Sequence, residues 1–341
     1  MLSTTAEPLT RWTTLRLGGP ARTFLEAATR AELYDAVATA DRSDEPVLVL
    51  GGGSNLVVSD GGFAGTVVRV ATQGVRVAAG GTSVEVSVEA GESWDRLVER
   101  AGEEGWVGIE AMAGIPGTVG AVPIQNVGAY GQEVSETIAQ VLVYDRSEQQ
   151  TRTFLPPDCG FGYRTSMFKR LPGRYVVGSV TFRFRTGSLG VPVKYAELAR
   201  ALGVEVEERA SSADVRRAVL RLRGDKGMVL DAGDRDTWSA GSFFTNPMVS
   251  VDVLPEGAPA WPQPDGRVKT SAAWLIERAG YRKGHGNDRV RLSAKHTLAL
   301  TNRGSASTAD LVALAREIRD GVDAKFGIEL HPEPVLVGCA L

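Results

Sequence analysis

Val47-Leu-Val-Leu-Gly-Gly-Gly-Ser-Asn-Leu-Val-Val-Ser-Asp60 reads as a buried strand, a glycine loop and a second stretch of extended chain. A dinucleotide fold needs G-x-G-x-x-G opening into a helix, and a P-loop needs a closing Lys-Ser/Thr. Neither follows Leu50. Two readings remain. The loop is a tight hairpin, or Gly51, Gly52, Gly53, Ser54 and Asn55 form a nest of backbone N–H groups that holds a pyrophosphate without a helix dipole.

A second glycine loop bears on the choice. Gly114-Ile-Pro-Gly-Thr-Val-Gly-Ala121 offers a backbone surface, at Gly114, Gly117, Thr118, Gly120 and Ala121, that a flat ligand can approach closely. Two such loops favour an extended, phosphate-bearing cofactor without saying which one. The flanking chain mixes strand and helix. Thr29 and Glu32 form a capping box ahead of Leu33, Ala36, Val37 and Ala40 at helical spacing. Val84, Val86 and Val88 alternate with polar residues as in a half-buried strand. Ser93 caps a helix carrying Trp94, Leu97, Val98 and Ala101. Further strands are predicted over 141–144 and 175–184. With no regular βαβ alternation, the fold class is α+β.

Beyond Thr186-Gly-Ser-Leu-Gly190 helices dominate, over 195–202, 212–223, 271–279 and 308–326, while the Pro-rich 254–264 reads as a surface loop. These shifts predict a first domain over 1–187, in two subdomains breaking near residue 70, and a smaller second domain over 188–341. The last strand is a candidate to return to the first domain. A length of 341 residues suits two domains. The net charge of −3 excludes an electrostatic footprint for nucleic acid or an anionic membrane. No apolar run spans a bilayer, and MLSTTAEPLTRW lacks the pattern of a secretory signal. Two distant cysteines, Cys159 and Cys339, fit a reducing compartment, so a cytoplasmic protein is expected.

Candidates for chemistry are few. His285, His296 and His331 lack metal-ligand spacing, so no metal is expected. Ser242, in SAGSFFTNP, has no nucleophile elbow, which excludes the usual serine hydrolase; its hydroxyl beside Phe243 and Phe244 is either satisfied by backbone or functional. Arg164, among Tyr163, Met167 and Phe168, is a stacked surface arginine or a fixed cation facing an anion. Glu333 lies between Pro332 and Pro334, in a solvated turn or a stiffened acidic site.

Taken together, GGGSN, GIPGTVGAVPIQNVGAYGQE, YRTSMFK, SAGSFFTNP and the late PE resemble, in order along nearly the whole chain, the UDP-N-acetylenolpyruvoylglucosamine reductases, flavoenzymes often called MurB. The first segment, with Leu15-Arg-Leu-Gly-Gly-Pro-Ala21, resembles the FAD-binding domain of vanillyl-alcohol-oxidase relatives. The resemblance implies non-covalent FAD, NADPH as co-substrate, and reduction of the enolpyruvyl ether of UDP-N-acetylglucosamine for peptidoglycan precursors. It implies a catalytic trio of Arg164, Ser242 and Glu333, with Ser242 as proton donor. It puts Tyr130, Tyr195, Lys226 and Asn246 near the nucleotide sugar, Tyr195 marking the type with a tyrosine-bearing loop. A monomer acting on small molecules is expected. Val335 departs from relatives that carry arginine two residues after the glutamate. An FAD-dependent sugar or alcohol oxidase is the nearest competitor, but no histidine precedes His285 to carry covalent flavin. A non-catalytic flavin or nucleotide-sugar binder is the other, and the full Arg, Ser and Glu set argues against it.

Overall fold

The two strands flanking the glycine loop leave it for different partners. Val47–Leu50 pairs in parallel with Thr66 to Arg69, whereas Leu56–Val58 pairs in parallel with Val335–Val337. The loop is therefore not a hairpin. The structure, a computed structural model, describes residues 2–341. Its contacts divide into two units, one of residues 2–7, 21–52 and 64–225, the other of 8–20, 53–63 and 226–341.

The first unit holds two larger sheets besides the two-stranded pair of Gly128–Ala129 and Gln132–Glu133. Leu2–Pro8, Pro20–Ala27, Phe63–Val70 and Val47–Leu50 form one, in that order. Between Val70 and Val75 the chain passes to the other, an antiparallel sheet ordered Gln150–Phe154, Ile138–Asp145, Tyr175–Thr186, Ser83–Glu89, Val75–Gly80, with Trp106–Val107 also on Tyr175–Thr186. The alternating Val84, Val86 and Val88 are buried, in one core with Trp94, Leu97, Val98 and Ala101 of the helix Trp94–Glu103. Ser93 caps that helix, and the Thr29–Glu32 capping box opens Arg30–Arg42 as predicted.

Residues 188–225 depart from the expected division. They belong to the first unit because the helices Ala196–Leu202 and Ser212–Asp225 bury Leu198, Ala199, Val215, Ala218 and Val219 in its core. The stretch at 186–190 lies within this unit, bent and joined to the start of the second helix by the bridge Leu189–Ser211 and the Ser212 N–H donating to Ser188 O at 2.9 Å.

The second unit packs the helix Thr308–Phe326 through Leu311, Leu314, Ala315, Ile318 and Val322 onto Leu15, Leu17, Val57, Phe243 and Phe244. Asp60 accepts from the Thr308 and Ala309 N–H groups at 2.7 and 2.9 Å, placing a carboxylate on that helix's positive end. The last strand pairs with Leu56–Val58 inside this unit. The Pro-rich stretch is not wholly loop. Ala260–Pro262 forms an exposed edge strand on Val268–Thr270, a place where proline's missing N–H costs little. No helix among the described residues is long and apolar enough to cross a membrane.

Candidate active site

In the first unit the two glycine loops lie directly on each other. A Cβ at Gly51 would stand 2.6 Å from Thr118 Oγ1, and one at Gly52 2.6 Å from Gly117 Cα. Only glycine allows this approach, and it merges both loops into one backbone surface. Gly114 and Gly117 have φ of 71° and 122°, which favour glycine again, and the Gly114 N–H donates to Asp95 Oδ1 at 2.6 Å. Gly120 rests on Ala90, its N–H donating to Ala90 O at 2.8 Å, and Ala121 closes the short turn with its N–H on Thr118 O at 3.0 Å. Gly51 and Ile115 to Thr118 stay half-buried and Gly52 exposed. A glycine cradle with open backbone fits FAD, a ligand whose pyrophosphate needs N–H donors and whose ring needs a flat wall. In the second unit Gly53, at φ 60°, faces the Trp12 carbonyl, and Ser54 and Asn55 are half-buried.

Next to Gly128 stand two strained turns. Gly128–Ala129 pairs with Gln132–Glu133, and the connecting Tyr130 and Gly131 both have positive φ, 48° and 84°. Such a type I′ turn normally takes Asn-Gly; a tyrosine in its first place is costly and points to function. Gly162 and Thr165 bridge each other around Tyr163-Arg164, and Arg164 has φ 52°. Arg164 Nη2 donates to Gly128 O at 2.8 Å, and its guanidinium lies 5.5 Å from the Tyr163 ring. Asn126, 1% exposed, joins the turns. Its Nδ2 donates to Glu133 Oε2 at 2.7 Å and to Gly162 O at 3.2 Å, while its Oδ1 accepts from the Ser135 N–H at 3.1 Å.

Tyr195, half-exposed just before the helix Ala196–Leu202, meets Tyr130 edge to face at 5.9 Å. Burial pushes the Tyr130 phenol up to about 12, with Glu197 acting the same way. Burial pulls the Arg223 guanidinium down to about 10, against the favourable Tyr130 and Asp95, and it remains a cation at neutral pH. Arg223 Nη2 donates to Gly114 O at 3.4 Å. Arg164 and Arg223 thus put two cations in one buried polar neighbourhood with Tyr130.

The second unit brings Ser242 and Glu333 together through the backbone. Glu333 N–H donates to Phe243 O at 2.8 Å, Phe244 bridges Pro332, and Phe243 N–H donates to Leu298 O at 2.7 Å. The expected wall around the serine is different. Phe243 and Phe244, each 1% exposed, turn into the core, while Ser242 is half-buried and its hydroxyl makes no hydrogen bond among the described residues. Two adjacent aromatics both enter the core because their backbone is pinned to Leu298 and Glu333, leaving the serine at the rim. Glu333 is half-buried, and its carbonyl accepts from Asn55 Nδ2 at 3.4 Å. Asn246 Oδ1 accepts from the Ala272 N–H at 3.0 Å, at the start of the helix Ala272–Ala279. Lys226 is the first residue past the helix Ser212–Asp225, and Val335 is exposed on the strand against Leu56.

Residues 21–153 match the family model of an FAD binding domain, and 233–337 that of the UDP-N-acetylenolpyruvoylglucosamine reductase C-terminal domain. Relatives of the same description in Cutibacterium acnes and Thermobifida fusca are 56% and 55% identical, over 98% of this chain and 90% and 98% of theirs. The chain belongs to the UDP-N-acetylenolpyruvoylglucosamine reductase family. The crystal structure of a family member from Thermus caldophilus superposes with a TM-score of 0.65 at 26% identity, covering 98% of both chains. The FAD-binding match contains the whole glycine cradle and the Tyr130 turn, and the C-terminal match contains Ser242, Asn246 and Glu333. Sequence reasoning singled out neither Asn126 nor Arg223. Asn126 lies inside QNVGAYG, where an asparagine ahead of glycines could have suggested left-handed backbone, and it has φ 48°. Nothing in the sequence marked Arg223 apart from its arginine-rich helix.

Proposed function

We propose that this chain is a UDP-N-acetylmuramate dehydrogenase: it reduces the enolpyruvyl ether of UDP-N-acetylglucosamine with NADPH, through non-covalently bound FAD, in peptidoglycan precursor synthesis. The observation that carries this reading is the Glu333 N–H bond to Phe243 O, which joins the backbone segments bearing Glu333 and Ser242 in a chain of this family. FAD, when bound, supplies the hydride. The protein's own groups do the rest. Backbone of Gly51 to Asn55 and of Gly114, Gly117, Thr118, Gly120 and Ala121 holds the cofactor. Tyr130, Tyr195, Lys226 and Asn246 hold the nucleotide sugar. Arg164, a planar cation, stabilises the enolate charge that spreads into the substrate carboxylate, and Glu333 hydrogen-bonds the same charge only when it carries or shares a proton. The Ser242 hydroxyl gives its proton to the carbon next to the carboxylate. A serine is a weak acid, and its donation here relies on the strong basicity of the carbon that receives the proton.

The same reading makes the protein a cytoplasmic monomer acting on small molecules; its two free cysteines fit a reducing compartment, and its net charge of −3 fits a protein that does not act on nucleic acid or a membrane. The test uses the purified protein. FAD should copurify and be released entirely by acid precipitation, NADPH should bleach it, and the enolpyruvyl sugar should restore the colour. Flavin left on the pellet, FMN in place of FAD, or no recolouring by the sugar defeats the reading.

A further inference from the structure

Glu110 is a carboxylate buried to 4% exposure with no part in the chemistry above. It sits in the short turn Glu110–Met112, four residues before the first glycine of the second cofactor loop. Its two oxygens are divided between two regions of chain. Oε2 accepts from the Gly108 N–H at 2.7 Å, within its own turn. Oε1 accepts from the Val191 N–H at 2.9 Å, in the segment that leads to Tyr195. The next residue makes the companion link, the Ala111 N–H donating at 2.8 Å to Oε1 of Gln132, itself 5% exposed and two residues past Tyr130. One small turn thereby holds the approaches to both tyrosines by buried side chains.

The other ties of the Tyr195 segment do not reach this turn. Gly190 N–H donates to Ala210 O at 2.9 Å, Val193 N–H to Glu208 O at 2.8 Å, and Arg209 Nη1 to Gly190 O at 3.1 Å. These bonds join the segment to residues 208–210, which lead into the helix Ser212–Asp225 packed in the same core, so the Glu110 bond adds a polar tie to an apolar one. Toward the Tyr130 side there is the Lys194–Glu136 pair at 3.1 Å, but its side chains are 47% and 43% exposed, and such pairs contribute little. A buried, charge-assisted bond is the stronger tie. The fit is close: a Cβ on Gly190 would stand 2.7 Å from Glu110 Oε1.

We propose that Glu110 is a positioning residue that fixes Tyr195 against Tyr130, and through that pair sets the affinity for the nucleotide sugar without touching it. This rests on the reading in which the two tyrosines lie over that substrate. Replacement by glutamine leaves one acceptor oxygen and turns an NH2 toward the other N–H donor, so one tie is lost with little change in volume.

The test is steady-state and single-turnover kinetics on the FAD-loaded enzyme with NADPH and the enolpyruvyl sugar. Glu110→Gln should raise KM for the sugar about tenfold while leaving kcat within about twofold and flavin content unchanged. Gly190→Ala keeps the buried carboxylate but crowds its oxygen from the loop side, and should move KM in the same direction. In a Tyr195→Ala background, Glu110→Gln should add less than about twofold, because the residue through which it acts is gone. An equal loss with and without Tyr195, or a fall in kcat together with lost flavin, overturns the proposal and makes Glu110 merely structural. Wild type that turns over the sugar while the cycle is additive defeats this inference alone; wild type that does not turn it over defeats the function reading as well.

Discussion

Arg164 and Ser242 are held in opposite ways. The arginine stands at φ 52° in a two-residue turn, and its orientation comes from side chains: its own bond to Gly128 O, and Asn126 reaching from Gly162 to Glu133. The serine needs no side chain. Backbone bonds from Phe243 to Leu298 and from Glu333 to Phe243 place it, and its hydroxyl is left out of the scaffold. A group positioned by the backbone ladder can be replaced without moving its neighbours. A group that is itself part of the scaffold cannot, and its replacement mixes lost chemistry with lost geometry.

Ser242→Ala is the sharpest test of that contrast and carries the largest expected effect. The substitution removes a hydroxyl that nothing in the fold uses, so flavin content, thermal stability and reduction by NADPH should match wild type. Reoxidation of the pre-reduced enzyme by the enolpyruvyl sugar should slow by about 10²–10⁴-fold, the usual worth of a general acid. Stopped-flow absorbance of the flavin reads it directly. Reoxidation at the wild-type rate makes the hydroxyl a bystander and ends its role as proton donor.

Arg164→Lys should have a smaller but less tidy effect. Lysine keeps the charge and loses the planar fork, so substrate reduction should fall by about 10- to 100-fold. Because the fork also binds Gly128 O, next to the Tyr130 turn, KM for the sugar should rise along with the fall in kcat. Flavin reduction by NADPH should change by no more than about threefold. A pure kcat effect would break the comparison, since it would mean that Arg164 takes no part in holding the turn.

How much of this was legible in the sequence follows the same division. The capping box of Thr29 and Glu32, the cap at Ser93 and the apolar face of Thr308–Phe326 depend on residues a few positions apart, and all were readable. The glycine loop remained ambiguous because the strand that pairs with Leu56–Val58 is Val335–Val337, at the far end of the chain. Nothing local marks residues 188–225 for the first unit, since Val215, Ala218 and Val219 would suit any core. Two phenylalanines beside Ser242 suggested a dry hydroxyl, but hydrophobic neighbours report where their own side chains go and not where the intervening backbone lies. Asn126 and Glu110 escaped notice for one reason: each is a polar residue with one partner on backbone distant in sequence, Gly162 O and the Val191 N–H, and such a bond has no spacing to read.

The smallest predicted effect carries the comparison to acid, where side-chain scaffolding should weaken before a backbone ladder does. Asp145, fully buried in the first unit, accepts from Arg174 Nε and Nη2 at 3.3 and 3.1 Å and from the Ser147 hydroxyl at 2.7 Å. Burial alone would raise its pKa, but the bonds from Arg174 and Ser147 outweigh it and hold the carboxyl down at about 2 against an ordinary 3.8. A depressed carboxyl stabilises the fold fully above its unfolded value, and that contribution disappears as pH falls through the folded one. Stability from Asp145 should therefore be constant above about pH 5 and decline between roughly pH 4 and pH 2. Asp145→Asn should lower Tm by on the order of 5 °C at neutral pH, a buried charge-assisted pair being lost in a chain of this size. Melting curves of the two proteins recorded from pH 7 downward should converge as pH approaches 2, because protonated aspartic acid and asparagine then leave Arg174 equally without its anion. A gap that persists unchanged to pH 2 would mean that Asp145 stabilises the fold through shape and neutral hydrogen bonds, and that the ion pair with Arg174 contributes nothing.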